Sequence, residues 1–182
     1  ANIYIDDFEG AQTNIDIKGF LSWKLASVPF KNFKGSGTQN NELSAGFGRA
    51  KLAWYSIDPI FYTNSRPPGI SNNDISLNTT RRIFINEIFP EQDLVQGSTT
   101  IQQTFDMAFY PDEKGPYNNS GNQPFNIDKI KNWGAIMRPL TSTNFEQSNV
   151  EFIEFWLLDT FSENQNNSGE LIFHLGNISE DI

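Results

Sequence analysis

The 182-residue chain contains no cysteine, one histidine (His174) and two methionines. Without cysteine there is no disulfide scaffold, no thiol nucleophile and no zinc ribbon or finger. One histidine excludes a multi-histidine metal centre and leaves at most a single triad, for which no Gly-x-Ser-x-Gly elbow is present. Cationic side chains are also scarce. Thirteen Lys and Arg stand against 22 Asp and Glu, a net charge of −9, which argues against nucleic acid as a partner because Lys and Arg must replace its condensed counterions. No apolar run approaches the roughly 18 residues of a membrane-spanning helix. The opening Ala1-Asn2-Ile3-Tyr4 lacks the basic end and apolar stretch of a signal peptide. The piece itself is expected to be soluble and not membrane-spanning.

What the chain has in quantity is phenylalanine and asparagine, 16 and 21 residues. Aromatic rings suit pleated, half-buried surfaces. Asparagine suits turns, because its side chain bonds its own backbone and tolerates a left-handed φ. Apolar runs of strand length recur at Ile3–Phe8, Phe20–Ala26, Ala50–Ile57, Arg82–Phe89, Thr100–Tyr110, Trp133–Leu140, Val150–Leu158 and Glu170–Leu175. Gly, Asn, Ser and Pro clusters punctuate them, among them Gly35–Asn41, Arg66–Gly69, Tyr117–Gly121 and Asn164–Gly169. This spacing predicts an all-β protein, an antiparallel β-sandwich of about eight strands, in one domain over residues 1–182.

Alternation supports individual strands. Ile83 and Ile85 oppose Arg82, Phe84 and Asn86, and Leu171, Phe173 and Leu175 oppose Ile172 and His174. The Val150–Leu157 segment is apolar on both faces and reads as a central strand, although Phe152, Phe155 and Trp156 also fit a helical spacing. Charge compensation between Asp128 and Lys131 leaves room for a short helix at Asn126–Asn132.

Few residues point to chemistry. Asp6, Asp7 and Glu9 before Gly10 form the densest acidic cluster, a candidate for a structural calcium, whose shell is built from oxygen ligands; Glu180 and Asp181 would complete it if the termini lie together. A glycosidase needs two carboxylates across a cleft. Glu151 and Glu154 lie on opposite faces of a strand, and Glu87, Asp106 and Asp112 would have to meet in space. His174, between Phe173 and Leu175, reads as a partly buried structural histidine, and Gly35-Ser36-Gly37 lacks the Lys-Ser/Thr ending of a phosphate loop. Of the four tryptophans, Trp54 and Trp156 lie in strongly apolar runs and read as core. Trp23 and Trp133 stand nearer loops and, with Tyr117, are the candidate sugar-stacking residues. Arg49, Lys51, Arg81 and Arg82 are expected to pair with local acids.

Tyr4–Gly10, Ala50–Pro59, Tyr110–Asn118, Trp133–Arg138, Val150–Leu157 and Leu175–Ile182 together resemble the SprA/Sov family of gliding-motility cell-surface proteins of Bacteroidetes, over essentially the whole chain. The resemblance implies a soluble fragment of a very large outer-membrane protein, the translocon pore of the type IX secretion system. It also implies no catalytic residues, with other translocon subunits or secreted cargo as partners. The localisation would be the outer membrane or cell surface, with the extracellular side favoured. The first and last segments further resemble jelly-roll, galactose-binding-like carbohydrate-binding modules, which carry a structural calcium near their termini; Asp7, Glu9 and Asp181 are the ligands this implies. The expectation is therefore a non-enzymatic structural or partner-docking module, the alternative being a domain that binds surface glycan or glycosylated cargo.

Overall fold

In the computed structural model, which describes residues 15–28, 46–121, 132–140, 152–160 and 169–176, the longest ladder forms where apolar and polar side chains alternate in two stretches. Strand β2 (Ala50–Tyr55) pairs antiparallel with β5 (Asp106–Lys114), Lys51 facing Tyr110, Leu52 facing Phe109, Ala53 facing Ala108, Trp54 facing Met107 and Tyr55 facing Asp106. Directly opposed residues share a face of the ribbon. One face therefore carries Leu52, Phe109, Trp54 and Met107. It packs on residue 134: a Cβ added to Gly134 would lie 2.9 Å from the Leu52 Cβ and 3.3 Å from the Phe109 ring. The other face carries Lys51, Tyr110, two alanines, Tyr55 and Asp106.

The ladder slips between Ala50 and Lys51, since Ala50 pairs with Lys114 and Lys51 with Tyr110. The three extra residues of β5 include Pro111, which has no N–H to give a ladder and so belongs at an irregularity. Gly115 follows. Its N–H donates to Arg49 O at 3.0 Å, and a Cβ there would stand 2.3 Å from Ala50 O, so only glycine lets the two backbones come this close.

Two shorter ladders complete the strands. Strand β1 (Lys24–Leu25) pairs antiparallel with β6 (Ile136–Met137), and β3 (Ile83–Phe84) with β4 (Ile101–Gln102). Arg49 and Trp133 add an isolated parallel bridge. The described residues are thus β-rich, with three two-stranded antiparallel sheets, one helical turn and short 3-10 turns. Among them, no helix is long and apolar enough to cross a membrane.

Three expected strands are interrupted. The run 82–89 is extended only at β3 and then coils into α1 (Ile85–Ile88). Glu87 drives the change: its carboxylate accepts from the Phe84 N–H at 3.0 Å and from Arg81 Nη1 at 2.8 Å, which stabilises the start of a helical turn. The run 20–26 opens with a 3-10 turn at Phe20–Ser22, and the run 100–110 breaks at residues 103–105 between β4 and β5. The predicted strands at 3–8 and the helix at 126–132 fall largely or wholly outside the described residues.

The two late apolar runs depart furthest from expectation. Residues 152–160 and 169–176 belong to no ladder, and every residue of 152–159 and 169–176 is exposed. Trp156, read from sequence as core, is 60% exposed. Its ring meets Phe89 edge-on at 6.0 Å between centroids, and Phe155 meets Phe173 at 5.0 Å. Apolarity on both faces marks a strand for burial only where a second layer lies across it; among the described residues these ring contacts do not supply one. The buried apolar side chains, among the described residues, are Ala26, Ala50, Ile83 and Trp133.

Candidate functional site

Arg49 sits at the junction of four segments. Flanked by Gly48 and Ala50, it enters the ladder at the Trp133 bridge, and its side chain is drawn inward. Its Nη1 donates to Ala26 O at 2.9 Å, and its guanidinium carbon lies 4.8 Å from the Trp133 ring centroid. The Arg49 carbonyl accepts from the Gly115 N–H and from Asn118 Nδ2 at 2.7 Å. Burial lowers the guanidinium pKa below its ordinary value, and the neighbouring Tyr117 opposes this. Among the described residues, Arg49 Nε, Asn132 Oδ1 and Ser120 Oγ are buried without a hydrogen-bond partner.

This arrangement places the expected sugar-stacking residues individually. Trp133 is 8% exposed, with one ring face under Arg49. Trp23 is half-buried; its Nε1 donates to Ile17 O at 2.8 Å, its ring stacks on Phe105 at 5.7 Å, and the Arg138 guanidinium lies 6.0 Å from its centroid. Tyr117 is the exposed member, at 61%, with φ at +59°. The structure does not bring the three rings into one open strip: both tryptophans are in contact with a cation, and that contact uses the ring faces a sugar would need.

The remaining cations divide between acids and rings. Lys51 Nζ donates to Glu113 Oε2 at 2.6 Å and also lies 4.6 Å from the Tyr110 centroid; Glu113 accordingly raises the Lys51 pKa. Arg81 pairs with Glu87, as the sequence suggests. Arg82 instead lies over the Tyr62 ring at 4.5 Å, and the Tyr62 hydroxyl donates to Thr80 O. Charge spacing alone finds acid partners, but not cations placed over rings.

Two of the three carboxylates that would have to meet for glycoside hydrolysis lie far apart. Asp106 faces Tyr55 and Asp112 lies just past the Lys51–Tyr110 rung, about four residues of β2 or roughly 13 Å away, beyond the roughly 5–9.5 Å such chemistry uses. Glu87 is engaged by Arg81 and the Phe84 N–H. Among the described residues no group of three His, Cys, Asp or Glu could hold a metal; the proposed calcium ligands Asp7, Glu9 and Asp181 lie outside those residues. His174 is exposed rather than partly buried, because residues 171–175 join no sheet that would turn it toward a core.

Sequence reasoning passed over the face of the β2–β5 ribbon on which Tyr55 and Tyr110 stand on either side of an alanine pair. Burial raises the Tyr55 pKa, with further contributions from Asp106 and Tyr110. Burial likewise raises that of Tyr62, to which Asp106 also contributes. The signal was available: Lys51, Ala53 and Tyr55 alternate, as do Asp106, Ala108 and Tyr110. No protein-family model matches the chain, and no curated protein matches it.

Proposed function

We propose that the chain is a non-enzymatic docking module of the type IX secretion translocon, at the outer membrane or cell surface and on the extracellular side. Two things support the reading: the resemblance to the SprA/Sov family and the apolar surface at residues 152–158 and 171–175. Phe152, Phe155, Trp156, Leu157, Leu171, Ile172, Phe173 and Leu175 are between 46% and 75% exposed, a concentration of apolar side chains that soluble proteins keep for interaction sites. The observation that carries the proposal is the Phe155–Phe173 contact, which makes the two segments one continuous surface.

On this reading the β2–β5 ribbon belongs to an antiparallel, jelly-roll-like sandwich. A structural calcium held by Asp7, Glu9 and Asp181 is part of the same proposal. Loss of melting temperature on chelation supports the ion, because binding to the native state stabilises it by mass action; an unchanged melting temperature removes it.

The docking reading is tested in the full-length translocon with Phe155→Ser and Trp156→Ser together. Expected are normal outer-membrane levels of the parent protein with reduced secretion and gliding. A photo-crosslinker at position 155 should form an adduct with another translocon subunit or with secreted cargo. Wild-type secretion by the double variant, with no adduct, rejects the proposal.

A further inference from the structure

Residues 152–160 and 169–175 run without helix, turn or bend, so successive side chains along each stretch point to opposite sides. Among the described residues, none of 152–158 or 171–175 makes a hydrogen bond. Two extended stretches with open backbones are thus held by their rings. Phe155 meets Phe173 at 5.0 Å, which joins the stretches to each other, and Trp156 meets Phe89 at 6.0 Å. The second contact turns the even-numbered side of 152–158 toward the end of α1, so the odd-numbered side faces away from it.

The Phe155–Phe173 contact sets a register. Eight residues, 161–168, separate the two stretches, fewer than the dozen or more of a parallel crossover, so pairing between them is antiparallel. With Phe155 opposite Phe173, Ile153 falls opposite Leu175 and Leu157 opposite Leu171, and all six share one face. On the other face Trp156 meets Ile172, and Glu154 meets His174, the two ionisable residues of 152–158 and 171–175. A shift of one residue would put His174 among the apolar six. A shift of two would set Glu154 against Ile172 or Gly176 instead. Two strands alone are at best marginally stable in water, which accounts for the open backbones.

We propose that 152–158 and 171–175 close into this antiparallel ribbon on docking and lay Ile153, Phe155, Leu157, Leu171, Phe173 and Leu175 against an apolar sheet face of a partner protein. The inference rests on the docking reading and specifies its surface. These six side chains are 41% to 66% exposed and carry no polar atom. A charged or polar group of the partner laid on them would lose its water with nothing to replace it, so the partner's matching face is apolar. A pleated ribbon is flat, and its face seats on a second sheet about 10 Å away. A second copy of this chain is disfavoured as occupant, because it brings nine more net negative charges to the contact.

The register is tested in the complete 182-residue chain, which has no cysteine of its own. Glu154→Cys with His174→Cys places two thiols directly across the ribbon, within the roughly 4.4–6.8 Å between Cα atoms that a disulfide accepts. Glu154→Cys with Ile172→Cys sets them on a diagonal of about 7–8 Å. Diamide should oxidise the first pair to a disulfide and not the second. A bridge in the displaced pair, or in neither, overturns the proposal. The face is tested in the full-length translocon, with a photo-crosslinker at Leu157 or Leu171 and, in separate variants, at Glu154 or His174. Adducts with a different protein are expected at the first two positions and should be lost at the other two. Equal or greater yield at 154 and 174 overturns the assigned face while leaving docking intact, and adducts between two copies of the chain overturn the occupant. No adduct at any of the four positions removes the docking reading itself, and the proposal with it.

Discussion

The Arg49 guanidinium lies 4.8 Å from the Trp133 ring centroid, and both residues are buried. A charge is accepted in this small interior because guanidinium is weakly hydrated and lies flat on an aromatic face, while Ala26 O takes one of its donors. Lysine provides the charge without the flat stack. Arg49→Lys is expected to lower unfolding free energy by about 2 kcal/mol in urea titrations. Arg49→Met carries no charge inward and leaves chiefly the Ala26 carbonyl unpaired, costing about 1 kcal/mol. Equal losses in the two variants would show that shape, rather than desolvated charge, governs the site.

Gly115→Ala should be the most disruptive single methyl addition in the described structure. Its Cβ would meet the Ala50 carbonyl at 2.3 Å, and backbone cannot swing aside as a side-chain tip can. A loss of about 3 kcal/mol or more is expected. Gly134→Ala, with Leu52 Cβ at 2.9 Å, should cost less, about 1–2 kcal/mol. Thermal melts of the two variants beside wild type check both the size and the order.

Glu87 makes a pH prediction. The Phe84 N–H and then Arg81 hold its carboxyl below its ordinary pKa. A depressed folded-state pKa gives stability that is present above the unfolded value, about 4.3, and is lost as pH falls through the folded one. Wild type should therefore lose stability on acidification across that window. Glu87→Gln should lose less over the same range, while being less stable at pH 7. Parallel acid titrations of the two proteins would contradict this.

Tyr117 occupies a left-handed conformation, φ +59°, that side chains other than asparagine and glycine rarely adopt. Tyr117→Asn should relieve that cost and raise stability by about 0.5–1 kcal/mol, seen as a higher melting temperature. An unchanged or lower value would mean that the ring's approach to Arg49 outweighs the backbone term.

Legibility from sequence followed the range of each interaction. The β2 strand was readable because alternation over Ala50–Tyr55 is local and its partner β5 repeats it. The helical turn after β3 was not, since Ile83 and Ile85 alternate well, and only the Glu87 carboxylate folding back on the Phe84 N–H reverses the outcome. Trp156 and His174 were misplaced for a related reason: patterning says which face a side chain shares, but burial depends on what lies across that face. Arg49 was expected beside an acid because charge spacing is visible in sequence, whereas a ring 84 positions away is not. Sequence singles out Trp23, Trp133 and Tyr117 as rings near loops, but the cations that stand against the two indoles come from distant segments and leave no trace in local spacing.

The slip between Ala50 and Lys51 carries a consequence for chain length. Tyr110 shares a face with Lys51, but Lys114 is paired with Ala50 on the opposite face, so the three extra residues exchange odd and even positions along β5. That exchange is what brings Glu113 to the side of Lys51. Adding or deleting one residue among Pro111, Asp112 and Glu113 would undo the parity and turn the strand's end inside out. A change of two would preserve it. The loop is thus indifferent to its length but not to whether that length is odd, and variation there should come in steps of two.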